Sequence, residues 1–131
     1  MGNVKQVTQK ELQKIVKFSN DQYKTFPWHI TSLTVIPFLD LNTYLSTINS
    51  IIADCRGPDG NIMVELVPFS IRLHIINAYS FVDLPEDINE IYYIVYNSDL
   101  YETVINNVNC SQVDSIINSV NSIVSRGERH G

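Results

Sequence analysis

Hydrophobic residues recur every three or four positions through most of this chain, which is the spacing of one face of a helix. The pattern is clearest after Asp40, where the apolar positions are Leu41, Tyr44, Leu45, Ile48, Ile51 and Ile52. Asp40 suits the N-cap, because its carboxylate can accept a hydrogen bond from a free backbone N–H of the first turn. Gly57 suits a left-handed C-terminal cap, and Pro58 cannot continue a helix. The pattern therefore predicts a helix from Asp40 to about Cys55.

A capping box at Thr8–Glu11 predicts a first, short helix that ends near Asn20. Its apolar face consists of Leu12, Ile15 and Val16. Its lysines, Lys10, Lys14 and Lys17, lie elsewhere on the helix, and Lys14 and Lys17 suit the negative C-terminal end of the helix dipole. This helix is either a solvated surface element or a docking arm for an acidic partner, including the acidic rear half of another copy.

Four segments predict helices in the second half of the chain. A nearly continuous apolar stretch with Pro68 in its first turn is typical of a central, buried helix. Asp83–Asp87 combines a proline with acids, which favours the first turn of a helix. The apolar stripe of that helix consists of Ile88, Ile91, Tyr92, Val95 and Tyr96. The chain restarts at Ser98–Asp99, and Ser111 caps a last helix that Gly127 ends.

Two segments are strand candidates. Ile30–Ile36 is β-branched and partly alternating, which favours a strand or, alternatively, an extended arm. Asn61–Val67 is the second candidate. Pro27 breaks the chain between the first helix and these segments. Trp28, the only tryptophan, is either a core side chain or a contact residue for a partner.

Together these elements predict one mainly α-helical domain of 131 residues, with about five helices and at most a minor strand or hairpin. We expect residues 1–37 to form an N-terminal helix plus an extended arm, 38–125 a compact helical core and 126–131 a tail. Helix should account for about 60% of the chain. The predicted core consists of Leu45, Ile48, Ile52, Leu73, Ile76, Ile91, Val95, Ile105, Ile117 and Val120.

Charge is distributed unevenly along the chain. All five lysines precede residue 25, whereas residues 73–125 contain no Lys or Arg and several acids. This asymmetry is typical of a molecule that contacts other protein surfaces, and a net charge of −5 argues against nucleic acid as the main partner. The candidate interface residues are Lys10, Lys14, Lys17, Trp28, Glu86, Glu90, Tyr93, Asp99 and Glu102.

The sequence contains no catalytic or metal-binding constellation. His74 has no second His or Cys in helical register, so we expect a boundary residue of the core rather than a ligand. Cys55 and Cys110 lack CxxC spacing and should be reduced structural thiols. No apolar run approaches 18 residues, and no secretory signal is present at the start. We therefore expect no enzymatic activity, no cofactor and no contact with a membrane.

A recognisable order of segments runs from LNTYLSTINSIIAD through INAYSFVDLP and EDINEIYYIVYNSDLYETVINNV to the last helix. Over residues 38–124 this order resembles small accessory proteins from the virion-assembly regions of tailed bacteriophages. The resemblance implies a virion component or assembly factor that binds other virion proteins or copies of itself, in the virion or the host cytoplasm. It transfers no functional residue. There are two alternatives. One is a phage-encoded inhibitor that binds a host defence protein and whose own acids mimic nucleic-acid phosphates. The other is a small enzyme.

Overall fold

The computed structural model of the chain describes residues 6–19 and 23–130. In these residues it contains six α-helices and one two-stranded hairpin, and it is 62% helical. The elements are α1 (Gln9–Ser19), β1 (Lys24–Trp28), β2 (Thr31–Val35), α2 (Leu41–Asp54), α3 (Val67–Tyr79), α4 (Ile88–Asn97), α5 (Leu100–Ile105) and α6 (Cys110–His130). A single 3-10 turn, Val64–Leu66, leads directly into α3. The mainly α fold with a minor hairpin is thus confirmed.

The hairpin pairs β1 with β2 in antiparallel register, from Lys24 opposite Val35 to Trp28 opposite Thr31. The strand prediction for 30–36 is therefore right, but its partner is the segment around Pro27, where we expected only a break. Pro27 is tolerated because this sheet has only two strands, so β1 pairs with another strand on one side only. On its other side a residue without a backbone N–H causes no loss of a hydrogen bond.

The second strand candidate, 61–67, does not pair with β2. It makes one isolated bridge, between Ile62 and Arg56, and then turns into the 3-10 segment. The free edge of β2 instead meets the end of α3. Ile36 N–H donates to the Tyr79 carbonyl at 2.7 Å, and Phe81 N–H donates to the Thr34 carbonyl at 3.1 Å. These bonds attach the hairpin to the helical core.

Helix α3 is the centre of the fold, as its continuous apolar sequence predicted. It packs against α2, α4 and α5, and α2 also packs against α6. The largest fully buried side chains are Tyr79, Ile51, Ile75, Ile76, Leu100 and Ile116. β2 contributes Leu33 and Val35 to the same core. Strand β2 is therefore part of the core rather than an extended arm.

Half of the predicted core residues are fully buried: Ile48, Ile52, Ile76, Val95 and Val120. Four are half-buried: Leu73, Ile91, Ile105 and Ile117. Leu45 was predicted wrongly, because it is exposed on the edge of α2 beside the small polar residues of α6. The pattern along α2 shows which side is apolar, but not how much of that side the neighbouring helices cover.

The helix ends follow the predicted chemistry with shifts of a few residues. Asp40 caps α2 by accepting from Thr43 N–H at 2.8 Å. The left-handed glycine of the following turn is Gly60, with a φ of 83°, rather than Gly57. Gly60 holds this conformation without strain because it has no Cβ.

The later helices begin and end elsewhere than predicted. Asp87 caps α4 by accepting from two backbone N–H groups, so the predicted first-turn proline lies before the helix. Asn109, rather than Ser111, caps α6 by accepting from Gln112 N–H at 2.9 Å. Helix α6 continues through Gly127 to His130 where we expected a tail, because glycine weakens a helix by only about 1 kcal/mol and does not oblige it to end.

One buried polar cluster joins the start of α2 to α3 and α6. The side-chain amide of Gln112 accepts from Leu39 N–H at 2.9 Å and donates to the Leu39 carbonyl at 3.0 Å. The Tyr79 hydroxyl donates to the same Gln112 oxygen at 2.7 Å. Burial raises the pKa of Tyr79, which keeps this hydroxyl a donor.

Candidate interaction surface

Helix α4 covers the core with only one flank. Val95 is buried, and Ile91 and Ile94 are half-buried against the core. The exposed apolar and aromatic side chains of α4, which we call the α4 outer face, are Ile88, Tyr92, Tyr93 and Tyr96. Their exposed fractions are 58% for Ile88, 54% for Tyr92 and 67% for Tyr93. Such an exposed aromatic surface is typical of a contact with another protein.

Two rings of this face, those of Tyr92 and Tyr96, are held in one cluster with α3. The Phe69 and Tyr92 centroids lie 5.5 Å apart, and those of Tyr92 and Tyr96 lie 4.9 Å apart. The Arg72 guanidinium lies 4.8 Å from the Tyr96 centroid and 4.6 Å from that of Tyr101. These contacts orient the rings before any partner binds, which lowers the entropy lost on association.

Burial raises the pKa of Tyr101, while the positive charge of Arg72 acts in the opposite direction. The Tyr101 hydroxyl therefore remains neutral at physiological pH, because an ordinary tyrosine already titrates near pH 10. The cluster therefore presents a single positive charge on an otherwise aromatic surface.

Exposed acids border the α4 outer face. Glu86 and Glu90 lie at its N-terminal end, and Glu102 lies on α5. Within the described ranges, no lysine or arginine forms an ion pair with any of the three. At about 100° per residue, Tyr93 lies between Tyr96 and Glu90 around the helix axis. The α4 outer face is therefore aromatic, and Glu90 borders it on the side next to Tyr93.

Asp99 forms hydrogen bonds with residues of its own chain. Its Oδ1 accepts from Trp28 Nε1 at 3.1 Å and lies 2.8 Å from His29 Nε2. The hydrogen bond with His29 holds the pKa of Asp99 below its ordinary value of 3.8. Trp28 is also half-buried against the core, so its core interpretation agrees with the structure. These contacts hold the hairpin turn, in which His29 has a φ of 51°, against the start of α5.

Helix α1 presents the predicted amphipathic surface. Glu11 N–H donates to the Thr8 hydroxyl at 3.2 Å, which confirms the cap. Lys10 and Lys14 are exposed, and the side chain of Lys17 lies outside the described residues. The apolar residues Leu12, Ile15 and Val16 are also exposed, each by about half of its surface. The described part of the chain therefore leaves the apolar stripe of α1 exposed.

Tyr93 was predicted as an interface residue, whereas Ile88, Tyr92 and Tyr96 were assigned to the apolar stripe of α4 and their exposure was not predicted. The helix packs instead through Ile91, Ile94 and Val95, one step around its axis. A possible signal was the width of the stripe, which exceeds what one neighbouring helix can cover. The contributions of Phe69 and Arg72 had no local signal, since they come from another helix.

The remaining surface offers no chemical site among the described residues. His74 bonds to Asp54 at the edge of the core, as expected of a boundary histidine. No group of three His, Cys, Asp or Glu side chains in the described ranges could hold a metal ion. None of the helices that the structure describes has the length and apolar character needed to span a bilayer. No protein-family model, curated protein or solved structure matches the chain.

Proposed function

We propose that the chain is a non-enzymatic protein that binds other proteins through the α4 outer face, as a virion component or assembly factor of a tailed phage. The observation that carries this proposal is the exposed aromatic flank beside acids that form no ion pair with a described lysine or arginine. A helix that only covered a core would place polar residues outward, whereas α4 directs Ile88, Tyr92 and Tyr93 toward solvent.

The composition of the face fits a binding role. Tyrosine and arginine are enriched where protein contacts gain most of their energy, and both are present here in one cluster. A tyrosine buries a large ring while its hydroxyl remains able to bond to water or to a partner. The acids at the rim favour a partner with basic side chains and increase the rate of encounter with it.

The assembly role is supported by the order of segments that resembles phage accessory proteins. The α4 outer face lies within EDINEIYYIVYNSDLYETVINNV, one of the segments that carries that resemblance. Large assemblies are built from repeated contacts between small, exposed surfaces, and this face provides one such surface.

Mass spectrometry of purified particles tests the assembly role. Particles of a phage that encodes this chain should contain it in many copies if it is a virion component. An assembly factor should be found in precursor particles and be lost from mature ones. Absence from both would refute the assembly role and favour an inhibitor of a host protein.

Site-specific photo-crosslinking tests the binding surface. A photoreactive phenylalanine analogue at Tyr93 should crosslink to identified virion proteins or to copies of this chain during assembly. The matched control places the analogue at Asn121, an exposed residue of α6. Equal crosslinking from both positions would show that the α4 outer face is not the binding surface.

A further inference from the structure

Helix α1 has two distinct flanks in a defined rotational order. Viewed down its axis at about 100° per residue, Leu12 and Val16 come first, Gln13 follows, and Lys10 and Lys14 come last. All five side chains are exposed. The helix therefore presents an apolar flank and a basic flank, separated by the uncharged polar residues Gln9 and Gln13.

Helix α4 repeats this order in the same rotational sense, with acids in place of lysines. Ile88 and Tyr92 form the first flank, Tyr93 is in the middle, and Glu90 lies on the last flank. When two such helices pack face to face, the first flank of one meets the first flank of the other only if the helices are antiparallel. The same holds for the last flanks. In that orientation alone, the apolar flanks meet each other and the lysines meet the acids.

One axial register satisfies the apolar and the charged pairs together. Residues 12, 14 and 16 of α1 have the same spacing as residues 92, 90 and 88 of α4. Leu12 then lies opposite Tyr92, Lys14 opposite Glu90, and Val16 opposite Ile88. Antiparallel packing also places the opposite ends of the two helix dipoles side by side.

We propose that α1 of a second copy of this chain packs antiparallel on the α4 outer face. This inference rests on the proposed binding function of that face and names the occupant. The charges are complementary, since in this register Lys14 meets Glu90, which has no described cation of its own. The occupant is another copy because the described side chains of α1, including its apolar stripe, are exposed rather than packed on their own chain.

The contact is heterologous, because each copy supplies a helix at one place and an acceptor face at another. Two copies can exchange helices reciprocally, or the contact can continue from copy to copy. One helix pair buries less than the roughly 1,200 Å² of a stable interface, so the association should depend on concentration and on salt.

The groove between α2 and α6 is a poorer acceptor for α1. It exposes Leu45, but its other wall consists of serines and asparagines such as Ser115 and Asn118. Asp114 is the acid that lines it, and Arg126 lies in the same groove. A lysine-bearing helix therefore gains little charge complementarity there.

Charge reversal in two variants tests the proposal. Lys14→Glu reverses the charge on α1, and Glu90→Lys reverses the charge on α4. Both positions are exposed, so far-UV circular dichroism should remain unchanged. Analytical ultracentrifugation of the full chain should show wild-type association that weakens between about 0.05 and 0.5 M NaCl. Either variant alone should associate roughly fivefold more weakly, since the charge pair at the rim becomes repulsive.

An equimolar mixture of the two variants should recover wild-type association, because the reversed α1 of one copy meets the reversed α4 of the other. Asp114→Lys, a reversal on the exposed face of α6, is the control and should leave association unchanged. A mixture that associates no better than its components overturns the proposal. A wild-type monomer at about 0.5 mM and low salt also overturns it. The proposed function would survive either result, because it depends on virion proteins found in particles or crosslinked to position 93.

Discussion

Replacing Gln112 by leucine should destabilise the fold more than any surface substitution in α6. The amide bonds both backbone groups of Leu39 and the hydroxyl of Tyr79, and all three residues are buried. Leucine fills a similar volume but leaves three buried polar groups without partners, at about 1–3 kcal/mol each. We expect the free energy of unfolding to fall by about 3–5 kcal/mol, a large part of the 5–15 kcal/mol typical of a domain.

The effect of Tyr79→Phe on the free energy of unfolding should have opposite signs in the wild type and in Gln112→Leu. In the wild type it removes one hydrogen bond, while the Gln112 oxygen keeps its bond from Leu39 N–H, so stability should fall by about 1 kcal/mol. In Gln112→Leu the same change removes a hydroxyl that has already lost its acceptor. The double variant should therefore be about 1 kcal/mol more stable than Gln112→Leu alone.

Urea unfolding followed by far-UV circular dichroism measures all three variants. Asn118→Leu, at an exposed position of the same helix, is the matched control and should change stability by less than about 0.5 kcal/mol. If Tyr79→Phe has the same effect in both backgrounds, to within about 0.5 kcal/mol, the Tyr79–Gln112 hydrogen bond contributes nothing to stability. That result would refute the reasoning about the buried cluster.

Three further predictions concern the core, the hairpin and the thiols. Ile76→Ala should lower the free energy of unfolding by about 2–5 kcal/mol and the exposed Leu45→Ala by less than about 1 kcal/mol; equal losses in urea unfolding would contradict the burial of α3. The hydrogen bond from His29 lowers the pKa of Asp99. The stabilisation of the fold by this carboxylate is therefore present above about pH 4 and is lost as the pH falls through the lowered pKa. Emission of the only tryptophan should therefore shift below pH 4, and Asp99→Ala should show the shifted emission already at pH 7. Cys110 is exposed, whereas burial raises the pKa of Cys55, so a thiol reagent should modify one cysteine in the folded chain and the second only after unfolding.

Local sequence signals were enough to locate the main helices. The cap at Asp40, the capping box at Thr8 and the first-turn proline at position 68 each act within a single helical turn. Their effects depend on hydrogen bonds and dihedral angles of adjacent residues, which sequence neighbours decide. Helical periodicity likewise identified α3 as the central helix, because a helix that is apolar on nearly all sides needs cover on nearly all sides.

Which apolar faces are covered depends on how the helices pack in three dimensions. The pairing of β1 with β2 despite Pro27, and the exposure of Tyr92 on α4, depend on which neighbour is present at each side. Asp99 meets Trp28 across 71 positions of sequence, and Gln112 meets Leu39 across 73. Such contacts leave no local pattern, because any polar side chain at those positions is equally compatible with a helix or turn. Their partners are chosen by how the helices pack, which is a property of the whole fold.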